Sequence, residues 1–223
     1  SANSINVARL LPQAIYYIDA ARRFTEPVHF VVPCGNLGNL CAGLIAARGG
    51  MPHAGFTAAF NRNHGVADFL EGSAFRPAPS IKTVSNDMDV GDPSNLERIR
   101  WLYDGDMARL RTDVRGVSVD DSETRACIAD VYQRTGYTLD PHSAVAYRAA
   151  QAAATWPSPP PGPVVILATA HPAKFPEVVE EAIGRPVPLP HALAVALEAE
   201  EHSVDLAARS DDLRALILEG SPT

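Results

Sequence analysis

Apolar residues in this chain fall at two spacings, and the alternation between them predicts its elements. Over residues 2–23, Ile5, Ala8, Leu11, Ile15 and Ile18 recur at helical spacing, with Arg22 and Arg23 suited to a helix C-terminus. Pro12 is expected to kink that helix or to join two of them. Residues 28–32 (VHFVV) form a short continuous apolar run, as expected of a strand covered on both faces. Residues 39–48 return to a helical pattern that Gly49 and Gly50 close. A second strand is expected over 55–60 and a short helix over 65–70, followed by a loop at RPAPS. Residues 94–103 read as a helix with Ser94 and Glu97 as a capping box. Residues 121–135 read as a helix entered by acidic residues and closed by Gly136, and 141–154 as one capped by Asp140 with Pro141 at its first position. After the rigid stretch TWPSPPPGP comes an apolar strand at 164–168, then helices over 176–183, 192–200 and 211–219. Helices alternating with short buried strands predict an α/β fold with a largely parallel sheet. No repeat or shift in composition divides the chain, so 1–223 reads as a single domain.

Composition narrows the partners. At 223 residues the chain is long enough to bury a sizeable core. A formal net charge of −7 argues against nucleic acid, whose partners carry a basic footprint, but leaves a small phosphorylated ligand open. The three cysteines, Cys34, Cys41 and Cys127, form no CxxC pair and no disulfide framework, which points to a reducing, cytoplasmic setting. No apolar run approaches the roughly 18 residues a bilayer span needs, and no signal peptide is recognisable, so no membrane partner is expected. The opening SANSINVARLL lacks a methionine and starts within an ordered-looking pattern, as expected at the cut edge of a longer polypeptide.

Three stretches carry candidate chemistry. Between the first strand and its helix lies VVPCGNLGNLCAG, where Gly35 and Gly38 permit close backbone approach and the helix start offers unpaired N–H groups and a positive dipole end. Its GNLGN spacing is neither the dinucleotide fingerprint nor the Walker pattern, so a tight βα turn and a phosphate cradle both fit. In ATAHPAKF, Thr169 at a strand end, His171 and Lys174 offer a hydroxyl, a base and a cation; a capped turn fits them equally. In the opening segment, small polar residues precede Arg9 on one helical turn, which an ordinary solvated helix start also explains. No metal is expected, because the seven histidines show no HExxH spacing and Asp120, Asp121 and Glu123 suit a helix N-terminus.

Five stretches, in order and over nearly the whole chain, resemble the threonine synthases, pyridoxal-phosphate enzymes of fold type II: NSINVARLLPQAIYY, VPCGNLGNLCAGLIA, SNDMDVGDPSNLER, LDPHSAVAYRA and TAHPAKF. The resemblance implies a three-layer α/β fold, with a mostly parallel sheet flanked by helices, forming part of the family's large domain. It implies pyridoxal 5'-phosphate as cofactor and O-phosphohomoserine as substrate, with loss of the γ-phosphate and water addition at Cβ giving threonine. Gly35, Asn36, Leu37, Gly38 and Asn39 match the loop that cradles the cofactor phosphate, and Thr169 matches the hydroxyl that bonds the pyridine nitrogen. Such a partner leaves that nitrogen largely neutral and tempers the electron sink. Asn3, Ser4, Asn6 and Arg9 match a segment lining the substrate side, where the arginine takes the substrate phosphate; its planar fork suits two oxygens at once. Ser85, Asn86 and Asp89 match a motif near the active site without an assigned role.

The departures matter as much. Cys34 stands where a serine or threonine is usual and Leu37 where an aromatic is usual. A hydroxyl lost from a charged phosphate costs about 1.5–3 kcal/mol. The family's Schiff-base lysine lies N-terminal to all the matching motifs, and the two lysines present, Lys82 and Lys174, are not in its motif. The 223 residues are therefore expected to be the C-terminal portion of a longer enzyme, inactive alone and holding no catalytic residue, with the missing N-terminal portion or a second copy of the chain as the expected partner. Two alternatives stand beside this reading. One is a non-catalytic remnant that binds pyridoxal phosphate or a phosphorylated metabolite. The other is a fold type II lyase such as a serine or threonine dehydratase, against which LDPHSAVAYRA and TAHPAKF argue.

Overall fold

Helix α1 (Val7–Ala21) begins where Asn6 leaves the helical backbone and its Oδ1 accepts the Ala8 N–H at 3.0 Å. This is a computed structural model, and it describes residues 4–201 and 203–219. The chain runs through Pro12 as one helix, not two. Its core face is Leu10, Ala14, Tyr17 and Ala21, whereas Leu11, Ile15 and Ile18, which carried the helical pattern, are exposed. The helix thus has two apolar faces, and the sequence pattern picked out the one that faces solvent in this chain.

Strand β1 (Val28–Pro33) is buried at every position, as its unbroken apolar run requires. Helix α2 (Gly38–Arg48) leads to β2 (His53–Phe60), which pairs parallel to β1, and then to the short α3 (Gly65–Leu70). Helix α4 (Asn95–Leu102) forms without the predicted box: Ser94 makes no side-chain cap, because its N–H and hydroxyl both donate to Asn36 Oδ1. Helix α5 (Met107–Asp113), capped by Asp106, and strand β3 (Val114–Ser118) had no signal in the apolar pattern. Helix α6 (Asp121–Thr135) has a complete capping box between Asp120 and Glu123 and ends at Gly136, with φ 73°. Helix α7 (Pro141–Ala153) starts under Asp140, β4 (Val164–Ile166) pairs parallel to β1, and α8 (Pro176–Ile183) follows.

The four strands lie in the order β3-β2-β1-β4, all parallel. Alternation along the strands sends Phe30, Val32, Phe56 and Phe60 to the face packed by Leu10, Tyr17, Leu40 and Leu44 of α1 and α2. Val31 and Ala59 go to the other face, against Val145, Ala146 and Ala149 of α7. A further cluster, including Ile128, Val131 and Val179, joins α6 to α7 and α8. Helices therefore cover both faces of the sheet, giving the expected three layers, and each fully buried phenylalanine contributes about 1.5–3 kcal/mol.

The chain divides into two compact units, Ser1–Val187 and Pro188–Thr223. The second holds α9 (His191–Glu198) and α10 (Ser210–Glu219), which leave Leu197, Ile217 and Leu218 exposed.

Candidate active site

The strand order fixes where a ligand can sit. From β1 the chain steps to β2 and β3 on one side, while β4 lies on the other, so the order reverses between β1 and β4. In open parallel sheets the crevice beyond the carboxyl ends of such strands is the ligand site. The turn leaving β1 holds Gly35–Asn39, and the segment leaving β4 holds Thr169. Both line one cavity of about 270 Å³, together with Ser4, Gln13, Met88 and His142. A second cleft beside it shares Gln13, Asn39 and Thr169 and adds Tyr16.

The loop is held by backbone sterics. Leu37, the N-cap of α2, is left-handed at φ 60° and ψ 10°, with its side chain buried. A leucine held there costs on the order of 1–3 kcal/mol, and such outliers persist where surrounding structure over-determines them. Gly35 is required by space: a Cβ there would stand 2.9 Å from both Asp87 O and Met88 Cα. At Gly38 a Cβ would approach Ser4 Cβ at 3.0 Å and Leu10 Cδ2 at 3.2 Å. No side chain caps α2, no acidic residue stands in its first turn, and the N–H groups of residues 38–40 donate to nothing among the described residues. A buried helix start left open in this way is an anion site in waiting.

Polar side chains around the loop are spent on holding it. Asn36 Nδ2 donates to Ser4 Oγ at 2.6 Å, and its Oδ1 accepts from Ser94 N at 2.7 Å, so the side chain ties the loop to both segments. Asn95, buried, donates through Nδ2 to Asn36 O at 2.8 Å and to Ser4 O at 3.1 Å. The Asn39 side chain accepts at Oδ1 from Tyr16 (2.7 Å) and Tyr17 (2.6 Å). Burial pushes the Tyr16 phenol up to about 12, with the Asn39 bond opposing, and drives Tyr17 well above its ordinary value. Both tyrosines therefore stay protonated donors at neutral pH.

Cys34 is not a ligand to the cavity. Its thiol is buried, donates to Val32 O at 3.2 Å and is pushed well up by burial. Thr169, by contrast, is exposed toward the cavity and its hydroxyl has no partner among the described residues. Ser4 lines the cavity, whereas Asn6 caps α1 and the exposed Arg9 is not among the lining residues. Asn3 lies outside the described residues. Neither lysine is among the lining residues: Lys82 is exposed, and Lys174 pairs at 3.6 Å with Asp87, which itself lines the cavity, so Lys174 stands at the rim.

Ser85 and Asp89 acquire a structural place. Asn61, buried at the end of β2, donates through Nδ2 to Thr83 Oγ1 (2.8 Å), Ser85 Oγ (3.0 Å) and Asp89 Oδ1 (2.8 Å). Asp89 also accepts the Thr83 N–H at 2.9 Å. This knot carries the Asp87–Met88 backbone, which is the surface that Gly35 presses against. At α7, Asp140 accepts from the N–H and ring Nδ1 of His142 (2.9 and 3.1 Å) and from the Ser143 hydroxyl. Burial opposes ionisation of Asp140, but the bonds from His142 and Ser143 win and hold its carboxyl below the ordinary value. None of Asn95, Tyr16, Tyr17 and Asn61 stood out in the sequence, because each acts on residues more than twenty positions away.

Comparison with known proteins places this arrangement. Residues 2–170 match the family described as pyridoxal-phosphate dependent enzymes, and residues 143–217 match the family described as threonine synthase, C-terminal. The chain is 38% identical to a threonine synthase of Escherichia coli and 37% identical to one of Serratia marcescens, in each case over 98% of this chain and 50% of the relative. A solved threonine synthase from Brucella melitensis with pyridoxal phosphate bound superposes with a TM-score of 0.82 at 32% identity, over 90% of this chain and 48% of that one. The solved Escherichia coli enzyme gives 0.79 at 36% identity, over 98% and 51%. The chain spans about half the length of the relatives it matches.

Proposed function

This chain belongs to the pyridoxal-phosphate dependent enzymes, and on that premise we propose that it forms the phosphate-binding and ring-facing half of a threonine synthase active site. The observation that carries the reading is one cavity holding both the open start of α2 and the unpartnered Thr169 hydroxyl. The residues present fit the cofactor. The N–H groups of residues 38–40, with the positive end of α2, bind a phosphate dianion without help from a side chain. Thr169 offers its hydroxyl to the pyridine nitrogen, and Gly35, Asn36, Leu37 and Asn39 shape the loop between them. When bound, the cofactor supplies an electron sink for the carbanion chemistry of an amino-acid substrate.

The whole enzyme is read as converting O-phosphohomoserine and water to threonine and phosphate. Asn3, Ser4, Asn6 and Arg9 are assigned to the substrate side, with Arg9 taking the substrate phosphate. A lysine is needed to carry the cofactor; neither Lys82 nor Lys174 is among the lining residues, and Lys174 is paired with Asp87 at the rim, so this reading assigns the lysine to polypeptide outside these 223 residues. That same observation favours a second, narrower reading of the 223 residues alone, as a half-site that binds cofactor without turning over substrate.

The test is equilibrium dialysis of the chain against pyridoxal 5'-phosphate, with inorganic phosphate as competitor. One cofactor bound per chain, released by phosphate and weakened in Gly38→Ala, is expected. Binding that phosphate does not displace, or no binding, would sink the reading.

A further inference from the structure

Asn39 is the second residue of α2, half-buried, and it lines both the main cavity and the cleft beside it. Its Oδ1 is taken from α1 by two hydroxyls, Tyr16 at 2.7 Å and Tyr17 at 2.6 Å. These lengths identify the acceptor as oxygen, because an amide N–H donor usually stands at about 2.9–3.0 Å from its partner. Burial keeps both phenols protonated at neutral pH, so each has a proton to give.

The other arm of the carboxamide is unspent. Asn39 Nδ2 donates to no described residue, yet the buried side-chain atoms that lack a partner among those residues are Arg111 Nε and His142 Nε2. Nδ2 is therefore open to solvent, on a residue that lines the cavity. What holds the opposite arm is stiff. Tyr17 is fully buried, and its ring meets Phe30 edge-on at 5.0 Å and stacks on Tyr16 at 5.1 Å. Gly43 gives it room, since a Cβ there would stand 2.7 Å from Tyr17 Cε1. With the oxygen committed to the tyrosines, the nitrogen presents its two donors on the side away from them. The open N–H groups of residues 38–40, at the same helix start, already favour an anion there.

We infer that Tyr16 and Tyr17 are positioning residues of this site: by holding Asn39 Oδ1 from α1 they turn Nδ2 toward the cavity, where it donates to the phosphate of the bound cofactor. The inference rests on reading the cavity as a pyridoxal-phosphate site. It adds a side-chain donor to a cradle otherwise made of backbone N–H groups, and it makes the contact between α1 and α2 part of ligand binding. Phosphate oxygens accept, so a donor is what the anion can use. A flipped carboxamide would instead set a carbonyl oxygen against a dianion.

The test follows the side-chain amide 1H–15N correlations of Asn39 in the 15N-labelled chain, assigned by their loss in Asn39→Asp, with cofactor binding measured separately by dialysis. Saturation with pyridoxal 5'-phosphate is expected to move at least one of the two amide protons downfield, and inorganic phosphate to do the same. The variant carrying both Tyr16→Phe and Tyr17→Phe keeps the rings and Asn39 but removes both hydroxyls. Its cofactor affinity is expected to fall about three- to tenfold, with a smaller shift at Asn39. Cofactor that binds by dialysis while the Asn39 side chain stays unmoved overturns the inference and leaves the cofactor reading standing. So does a folded double variant that retains either wild-type affinity or the full shift. A shift that the cofactor produces and phosphate alone does not would overturn the assignment to the phosphate group. Absence of any binding overturns the cofactor reading and this inference with it. Should the double variant not fold, Tyr16→Phe, at a ring 40% exposed, takes its place and is judged by the same outcomes.

Discussion

Replacing Gly35 with alanine tests whether the loop's shape comes from backbone packing. The added methyl would sit 2.9 Å from Asp87 O and from Met88 Cα and 3.4 Å from Met88 C. All three atoms are backbone, and the buried knot of Asn61, Thr83, Ser85 and Asp89 holds that backbone in place. Relief therefore requires moving either the knot or the loop. Overpacking of this kind costs about 1–3 kcal/mol, which for a domain of this size is a fall in melting temperature of about 2–12 °C. Gly65→Ala is the matched control. Gly65 is exposed at the start of α3, and a Cβ there meets only Phe75 Cε2 at 3.7 Å, so its melting temperature should hold or rise slightly. Thermal unfolding by circular dichroism reads both variants, and phosphate affinity should fall only in Gly35→Ala. Equal melting temperatures would refute the claim that Gly35 is required by the Asp87–Met88 backbone.

Asp140 should make stability depend on acid. Its folded value is depressed, so its contribution is complete above the ordinary carboxylate value of 3.8 and is lost as pH falls through the lowered folded value. Asp140→Asn should thus be less stable than wild type at pH 6, with the gap closing below about pH 4; a gap that widens in acid would contradict this. Tyr17→Phe removes the fully buried phenol from Asn39 and should cost about 0.5–1.5 kcal/mol in urea unfolding, with no change in m-value. Cys34, Cys41 and Cys127 are all buried, and burial raises Cys41 and Cys127 to about 11 and Cys34 further still. A disulfide reagent at pH 8 should label none of them in the folded chain and all in denaturant; a promptly reacting thiol would show that this packing is wrong.

The fold was legible where local chemistry and tertiary packing agree. The α6 box of Asp120 and Glu123, the Asp140–Pro141 start of α7 and the unbroken burial of β1 all follow from residues adjacent in sequence. The same reasoning at Ser94 gave a capping box that does not form, because Asn36, 58 residues away, is the better partner for both Ser94 groups. Strand β3 escaped notice because Arg115 and Gly116 break its apolar run. Arg115 lies over the Trp156 ring at 3.5 Å, and Gly116 is needed because a Cβ would meet Ala67 Cα at 2.6 Å. Much the same holds at the site. Gly35, Asn36, Gly38 and Thr169 were readable because a strand end followed by a loop is a local pattern. The hands that hold them, Asn95, Tyr16 and Tyr17, were not, since their partners are set only by folding. The apolar face of α1 taught a separate lesson: Leu11, Ile15 and Ile18 keep helical spacing yet face solvent here, so periodicity reported the helix but not which side is core.

The central claim is that the open start of α2 holds the cofactor phosphate. The backbone 1H–15N spectrum of the labelled chain, titrated with pyridoxal 5'-phosphate, addresses it directly. The account predicts large downfield amide shifts at Gly38, Asn39 and Leu40, reproduced in direction by inorganic phosphate. Shifts confined to other segments, with these three amides unmoved at saturating cofactor, would contradict it.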